Sequence, residues 1–242
     1  MSSDDWIKGI NRLVLPPDTP VTLQGGEPTL HPGIVGIINS IKPSLPIDIL
    51  TNFLNDEWLY KINPARLTRK APYASIRVSW HIGQNDNDKT LNRVRRALDH
   101  GYSIGIWAVE HPDYSKEVLE LQNKAISLGI DFRLKEFLGP WKGKVYGTFR
   151  YPGSVNGNHL SSCECRTTEL LVSPSGHIHR CHRDLYANRL PVGHILQEQA
   201  PMVGWLPCKV FGSCSSCDTK VKNNRYQQWG HSSVEIKNIG VV

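Results

Sequence analysis

All six cysteines of this 242-residue chain lie between Cys163 and Cys217, and none precedes them. Cytosolic thiols stay reduced, so a cysteine cluster there points first to a metal ion or an iron–sulfur cluster. Cys214 and Cys217 have the C-x-x-C spacing that lets two thiolates meet one metal, and no other pair has it. A zinc site usually pairs two such turns. His177, His179 and His182 are possible further ligands, read as exposed or supporting residues.

A second stretch with chemical character is VTLQGGEPTLHP, residues 21–32. An apolar strand stops at Gly25-Gly26, and Glu27 and Pro28 follow at once. Glycines without side chains let a ligand approach the backbone and bond its N–H and C=O groups. A cationic ammonium group suits exposed carbonyls beside a glutamate.

The elements that position these residues are legible in the apolar pattern. Strand candidates begin at Val21, Ile47, Ser75, Tyr102 and Asp131, 26 to 29 residues apart. Helical patterns fill the intervals. Pro32 is placed to open a helix and Asn55 to cap one. Leu91, Val94 and Leu98 form a stripe closed by Gly101, and Val118, Leu121, Ala125 and Leu128 another closed by Gly129. A further helix over 4–14 precedes the first strand.

Strands alternating with helices predict parallel pairing through right-handed crossovers, in a sheet covered on both faces. A flavodoxin-like sheet and a partial barrel both fit. Ligands bind at the carboxyl ends of such strands. Those ends carry Gly25-Gly26-Glu27, Thr51-Asn52, Ser79 with His81, Glu110-His111 and Gly139-Pro140. No glycine-rich phosphate loop supports a nucleotide-binding alternative.

Beyond residue 140 the texture changes. Residues 142–162 are rich in Gly, Ser and Asn and read as loop or irregular strand. TTELLVSPSGHIHRC then reads as a β-hairpin turning at Ser173-Pro174-Ser175-Gly176. Its arms bring Cys165 and Cys181 toward one place.

Composition excludes other classes. Hydrophobic residues make up 39% and charged residues 21%, an ordinary globular balance. No apolar run approaches the ~18 residues that span a bilayer, and no signal peptide pattern opens the chain; both point to the cytoplasm. The net charge of +6 is uneven, with nine Lys or Arg against three acids in residues 61–100. No consecutive basic run appears, which argues against nucleic acid.

The Gly-Gly-Glu-Pro-Thr-Leu-His-Pro segment, flanked by an apolar strand, a helix and a strand ending in Thr-Asn, resembles the radical S-adenosylmethionine enzymes. The similarity runs from about residue 4 to residue 140. It implies a partial parallel (β/α) barrel whose Gly25, Gly26, Glu27 and Pro28 hold the cofactor's methionine amino group. Ser79 sits where the family often places a ribose contact, a looser match. The spacing Cys165-x₁₅-Cys181 around Gly176, then Cys214-x-x-Cys217, resembles the auxiliary-cluster extension called SPASM, or its shorter twitch form. That implies a [4Fe–4S] cluster on Cys165, Cys181, Cys214 and Cys217. Cys163 and Cys208 are left over, and Cys208 could replace one of the four.

The family's catalytic cluster needs Cys-x-x-x-Cys-x-x-Cys, and no cysteine here has that spacing. The chain therefore reads as a radical S-adenosylmethionine core over 1–140 lacking its first strand, followed by a cysteine-rich auxiliary-cluster domain over 141–242. The resemblance implies a peptide or small-molecule substrate and an electron donor such as a flavodoxin or ferredoxin. The competing expectation is a non-catalytic, zinc- or iron–sulfur-stabilised interaction module whose basic 61–100 face meets an acidic partner.

Overall fold

The structure is a computed structural model describing residues 1–155, 157, 160–198, 204–224 and 227–241. The chain forms two compact units, Ser2–Phe137 and Leu138–Val242. Among the described residues no helix is long and apolar enough to cross a membrane.

The first unit runs α1 (Ser3–Asn11), β1 (Val21–Leu23), α2 (Ile34–Ser40), β2 (Ile47–Thr51), β3 (Ile76–Trp80), α3 (Asn87–Asp99), β4 (Ile104–Glu110), α4 (Ser115–Ser127) and β5 (Phe132–Glu136). All five strands pair in parallel, in the order β1-β2-β3-β4-β5. A flavodoxin-like sheet has the order 2-1-3-4-5, reversing direction at a switch point. The sequential order removes that alternative. Right-handed connections that always step the same way must also leave their helices on one face.

The burial pattern agrees. Ile47 and Ile49 of β2, Ile76, Val78 and Trp80 of β3, and Ile104 and Ile106 of β4 are buried on one face. Ile37 and Ile38, Leu91 and Val94, and Val118 and Leu121 supply the buried stripes of α2, α3 and α4. Each such aliphatic side chain stabilises the fold by roughly 1.5–3 kcal/mol. The opposite face carries Thr22, Asp48, Leu50, Arg77, Ser79, Trp107 and Arg133 at the alternating register positions. It mixes charged and apolar side chains and is not the uniformly apolar second face expected of a fully covered parallel sheet.

Asp48 anchors that face. Its carboxylate is fully buried and takes two hydrogen bonds from Arg69, each 2.7 Å, and one from Arg77 at 3.3 Å. Both guanidinium groups also lie over the Tyr73 ring. A buried carboxylate is tolerated because it is paired this completely.

Local differences from the sequence reading have identifiable causes. α1 stops at Asn11, whose side chain bonds Ser40 O and Lys42 N, and Pro16-Pro17 follow. Pro32 does not open α2, which starts at Ile34 with Gly33 as its cap. It is Pro28 that heads a short 3₁₀ turn, Pro28–Leu30. Asn55 caps no α-helix. Its Oδ1 accepts from Glu57 N at 2.9 Å, and two 3₁₀ turns follow, Leu59–Lys61 and Pro64–Leu67.

The second unit is mostly strand: β6 (Gly139–Trp141), β7 (Lys144–Tyr146), β8 (Ser161–Thr167), β9 (Leu171–Val172), β10 (His177–His179), α5 (His182–Tyr186), β11 (Pro191–His194), β12 (Leu206–Phe211), α6 (Ser216–Thr219), β13 (Lys222–Asn224), β14 (Gln227–His231) and β15 (Val234–Val241). Of the loop stretch 142–162, Lys144–Tyr146 and residues from Ser161 are strand, while Asn156, Asn158 and His159 lie outside the described residues. The hairpin β9–β10 forms, closed by Ser173 N on His177 O and by Gly176 N on Ser173 O, both 2.8 Å. Cys165 is not on its arm. It belongs to β8, in a separate antiparallel sheet ordered β12-β8-β15. That sheet's buried face carries Cys163, Cys165, Phe211, Val234 and Ile236.

Candidate functional site

The carboxyl ends of β1, β2 and β3 are tied together by side chains. Glu27 Oε1 accepts from Thr29 N at 3.1 Å and Thr29 Oγ1 at 2.7 Å, capping the Pro28–Leu30 turn. Its Oε2 accepts from Asn52 N, beyond the end of β2, at 2.6 Å. Asn85 Nδ2 donates to Asn52 O, and Asn85 Oδ1 accepts from His81 N, both at 3.0 Å. Glu27 is therefore a clasp whose two oxygens are already engaged, not a free counter-charge.

Gly25 and Gly26 stand exposed before this clasp with φ of +90° and +47°. An added Cβ at either would meet nothing within 4 Å. Glycine is favoured there by conformation, most strongly at Gly25, and the space above the backbone is open. Pro28 is half-buried at the head of its turn. Ser79 is half-buried on the mixed face of β3, two strands from β1, which is about 10 Å at normal strand spacing. Phe53, buried with φ of +54°, is a strained turn residue beside the same rim that sequence reasoning missed.

In the second unit Cys163, Cys165, Cys181, Cys208 and Cys214 line one cavity of about 20 Å³, together with Arg180, Arg183, Asp184 and Asp218. Alternation along β8 puts Cys163 and Cys165 on one face, and Cys208 of β12 is the register partner of Cys163. Cys181 ends the β10–α5 turn, and its Sγ accepts from Asp184 N at 3.4 Å. Asp218 fixes that turn by accepting from His182 N at 2.7 Å and Arg183 N at 3.3 Å. Cys217, in α6 and half-buried, is not among the cavity-lining residues. All six cysteines are free.

The thiols influence one another's ionisation. Neighbouring Cys165, with the Val210 N–H and nearby Arg180, holds Cys208 down at about 6 despite burial. Cys165 is raised by neighbouring Cys208 and by burial. Burial and Cys208 push Cys163 up to about 12. Burial and Asp218 push Cys214 up to about 11, and Cys181 is raised for the same reasons. Among the described residues no group of three or more His, Cys, Asp or Glu side chains is arranged around a metal position.

Two cations border the thiols. Arg180 is held by Asp184 through Nε and Nη2 and by Pro207 O through Nη1 at 2.7 Å. Among the described residues, Arg183 Nη1 is buried without a hydrogen-bond partner. His179 and His182 are buried rather than exposed; His182 Nδ1 meets Asp218 at 2.9 Å, and His179 Nδ1 meets Arg189 O at 3.1 Å. His177 is exposed. The signal for Cys163 was present in the sequence, since Cys-x-Cys on a strand puts both thiols on one side.

Most of the basic side chains in the 61–100 segment have acidic or carbonyl partners. Arg66 bonds the carbonyls of Ile38, Ile41 and Leu45. Arg69 and Arg77 pair with Asp48, Arg93 and Arg96 with Asp56, Arg95 with Asp99, and Lys89 with Asp86.

The chain matches none of the protein-family models with which it was compared, and no curated protein matches it.

Proposed function

We propose that this chain is a radical S-adenosylmethionine-type protein whose second unit holds a [4Fe–4S] cluster on Cys165, Cys181, Cys208 and Cys214. The observation that carries this is the convergence of five thiols, from residues far apart in sequence, on one cavity bordered by two arginines. Cys208 takes the place that the resemblance gives to Cys217, because Cys208 lines the cavity. The donor set suits thiolate ligation. Four thiolates around an iron–sulfur core leave the centre anionic, and Arg183 Nη1, without a partner among the described residues, suits such a centre better than a dry apolar core.

The cavity of about 20 Å³ has room for little more than one water. Binding a cluster would therefore require the thiols to move apart. Arg180 and Arg183 would then offset the thiolate charge, and the Asp184 N–H, which meets the Cys181 sulfur at 3.4 Å, would support it as a ligand. A bound cluster supplies reversible one-electron transfer.

In the first unit the five strands would form the wall of a partial barrel. The bare backbone at Gly25-Gly26 would receive the ammonium end of S-adenosylmethionine, and Ser79, two strands away on β3, would meet its ribose. Glu27 acts through Asn52, by holding the rim in shape. A peptide or small-molecule substrate and a flavodoxin- or ferredoxin-like electron donor complete the reading.

The test is iron and acid-labile sulfide in the anaerobically purified chain. The reading expects about four of each per chain. Stoichiometric zinc without sulfide would contradict it.

A further inference from the structure

Five thiols line a cavity at which a four-cysteine centre uses four. The fifth, Cys163, is 6% exposed and faces Cys208 directly across the antiparallel β8–β12 pair. Directly opposed residues in such a pair have Cα atoms about 4.5–5.5 Å apart. A disulfide spans about 4.4–6.8 Å. Cys165 lies on the same face, but its register partner is Leu206. It is therefore diagonal to Cys208, at about 7–8 Å, which is beyond that span.

We infer that Cys163 and Cys208 form a reversible disulfide, making the thiol cavity a hydroperoxide-responsive site. Cys208 is the more exposed of the two and reacts first. Its sulfur attacks one peroxide oxygen, the O–O bond breaks, one water leaves and a sulfenic acid remains. The Cys163 sulfur then displaces that hydroxyl as a second water and forms the S–S bond. Each sulfur loses one electron, and the hydroperoxide gains two. The product withholds Cys208 from metal, so oxidation and metal binding exclude one another.

That exclusion rests on the proposed ligand set, whereas the disulfide needs only the two cysteines. The full chain, reduced and desalted without oxygen, is treated with one equivalent of hydrogen peroxide and mapped by non-reducing peptide mass spectrometry. The main linked pair should be Cys163–Cys208, reversed by dithiothreitol and absent from Cys163→Ser. Cys163→Ser should keep the metal content of the parent chain. A different dominant pair, sulfinic acid without linkage, or metal loss in Cys163→Ser would overturn the inference. A chain that purifies without metal but links this pair would remove the metal reading and leave the disulfide standing.

Discussion

The Glu27 carboxylate takes the Asn52 N–H at 2.6 Å, so the first strand's glycine turn is fastened to the end of the second strand. The same carboxylate caps the following 3₁₀ turn through Thr29. Hydrogen bonds to a charged group contribute about 1.5–3 kcal/mol. Glu27→Ala should therefore lower the unfolding free energy of the first unit by roughly that amount. Glu27→Gln should lower it by less. Urea unfolding followed by tryptophan fluorescence measures both; equal stability of all three proteins would show that the clasp is decorative.

Gly25→Val tests the rim differently. A β-branched residue at φ +90° is strained, at a cost of about 1–3 kcal/mol. The new side chain occupies space that is otherwise open. Titration calorimetry should show S-adenosylmethionine binding weakened at least tenfold relative to the parent, with the second unit's metal content unchanged. Undiminished binding would place the cofactor elsewhere.

Asp48→Ala should be strongly destabilising. It leaves Arg69 and Arg77 buried together without their acid. Breaking a buried pair in this way costs about 3–5 kcal/mol. A midpoint in urea within error of the parent's would contradict the assigned burial.

Much of the first unit was legible because its signals are local. The five strand starts, the stripes Leu91–Val94 and Val118–Leu121–Ala125, and the closing glycines at 101 and 129 all depend on spacing alone. Pro32 and Asn55 misled because capping residues serve equally well in tight turns, and here Gly33 and Pro64 decide the outcome. The mixed sheet face was hidden for a different reason. Asp48 in an otherwise apolar strand is intelligible only once Arg69 and Arg77, more than twenty residues away, are seen to meet it. The thiol site was half legible: the hairpin around Gly176 gave Cys181, but pairing Cys208 with Cys163 needs the β8–β12 register.

The thiols give the reduced, metal-stripped second unit a distinct pH dependence. Cys208 is lowered to about 6, so its stabilisation is full above its ordinary value near 9 and is lost as pH falls through 6. Cys214 and Cys163 are raised to about 11 and 12, so theirs is full below 9 and is lost as pH rises through those values. The thiol contribution should peak near pH 9. Thiolate absorbance near 240 nm should show one cavity cysteine titrating near pH 6 and the rest only above 9 (all of them titrating together near 9 would be the contrary result).

Arg183→Met removes the donor whose Nη1 is buried without a partner among the described residues. If that donor faces an anionic cluster, its loss should make the cluster harder to reduce. A negative shift in midpoint potential with unchanged iron content is expected in redox titration. An unchanged potential would separate Arg183 from the centre.

Iron-edge X-ray absorption on the anaerobic protein, compared between Cys208→Ala and Cys217→Ala, tests the assignment of the thiol cavity most directly. The parent chain and Cys217→Ala should show sulfur-only first shells with iron–iron scattering, and Cys208→Ala should lose that signature. A zinc centre in place of iron, or a signature kept in Cys208→Ala and lost in Cys217→Ala, would contradict it.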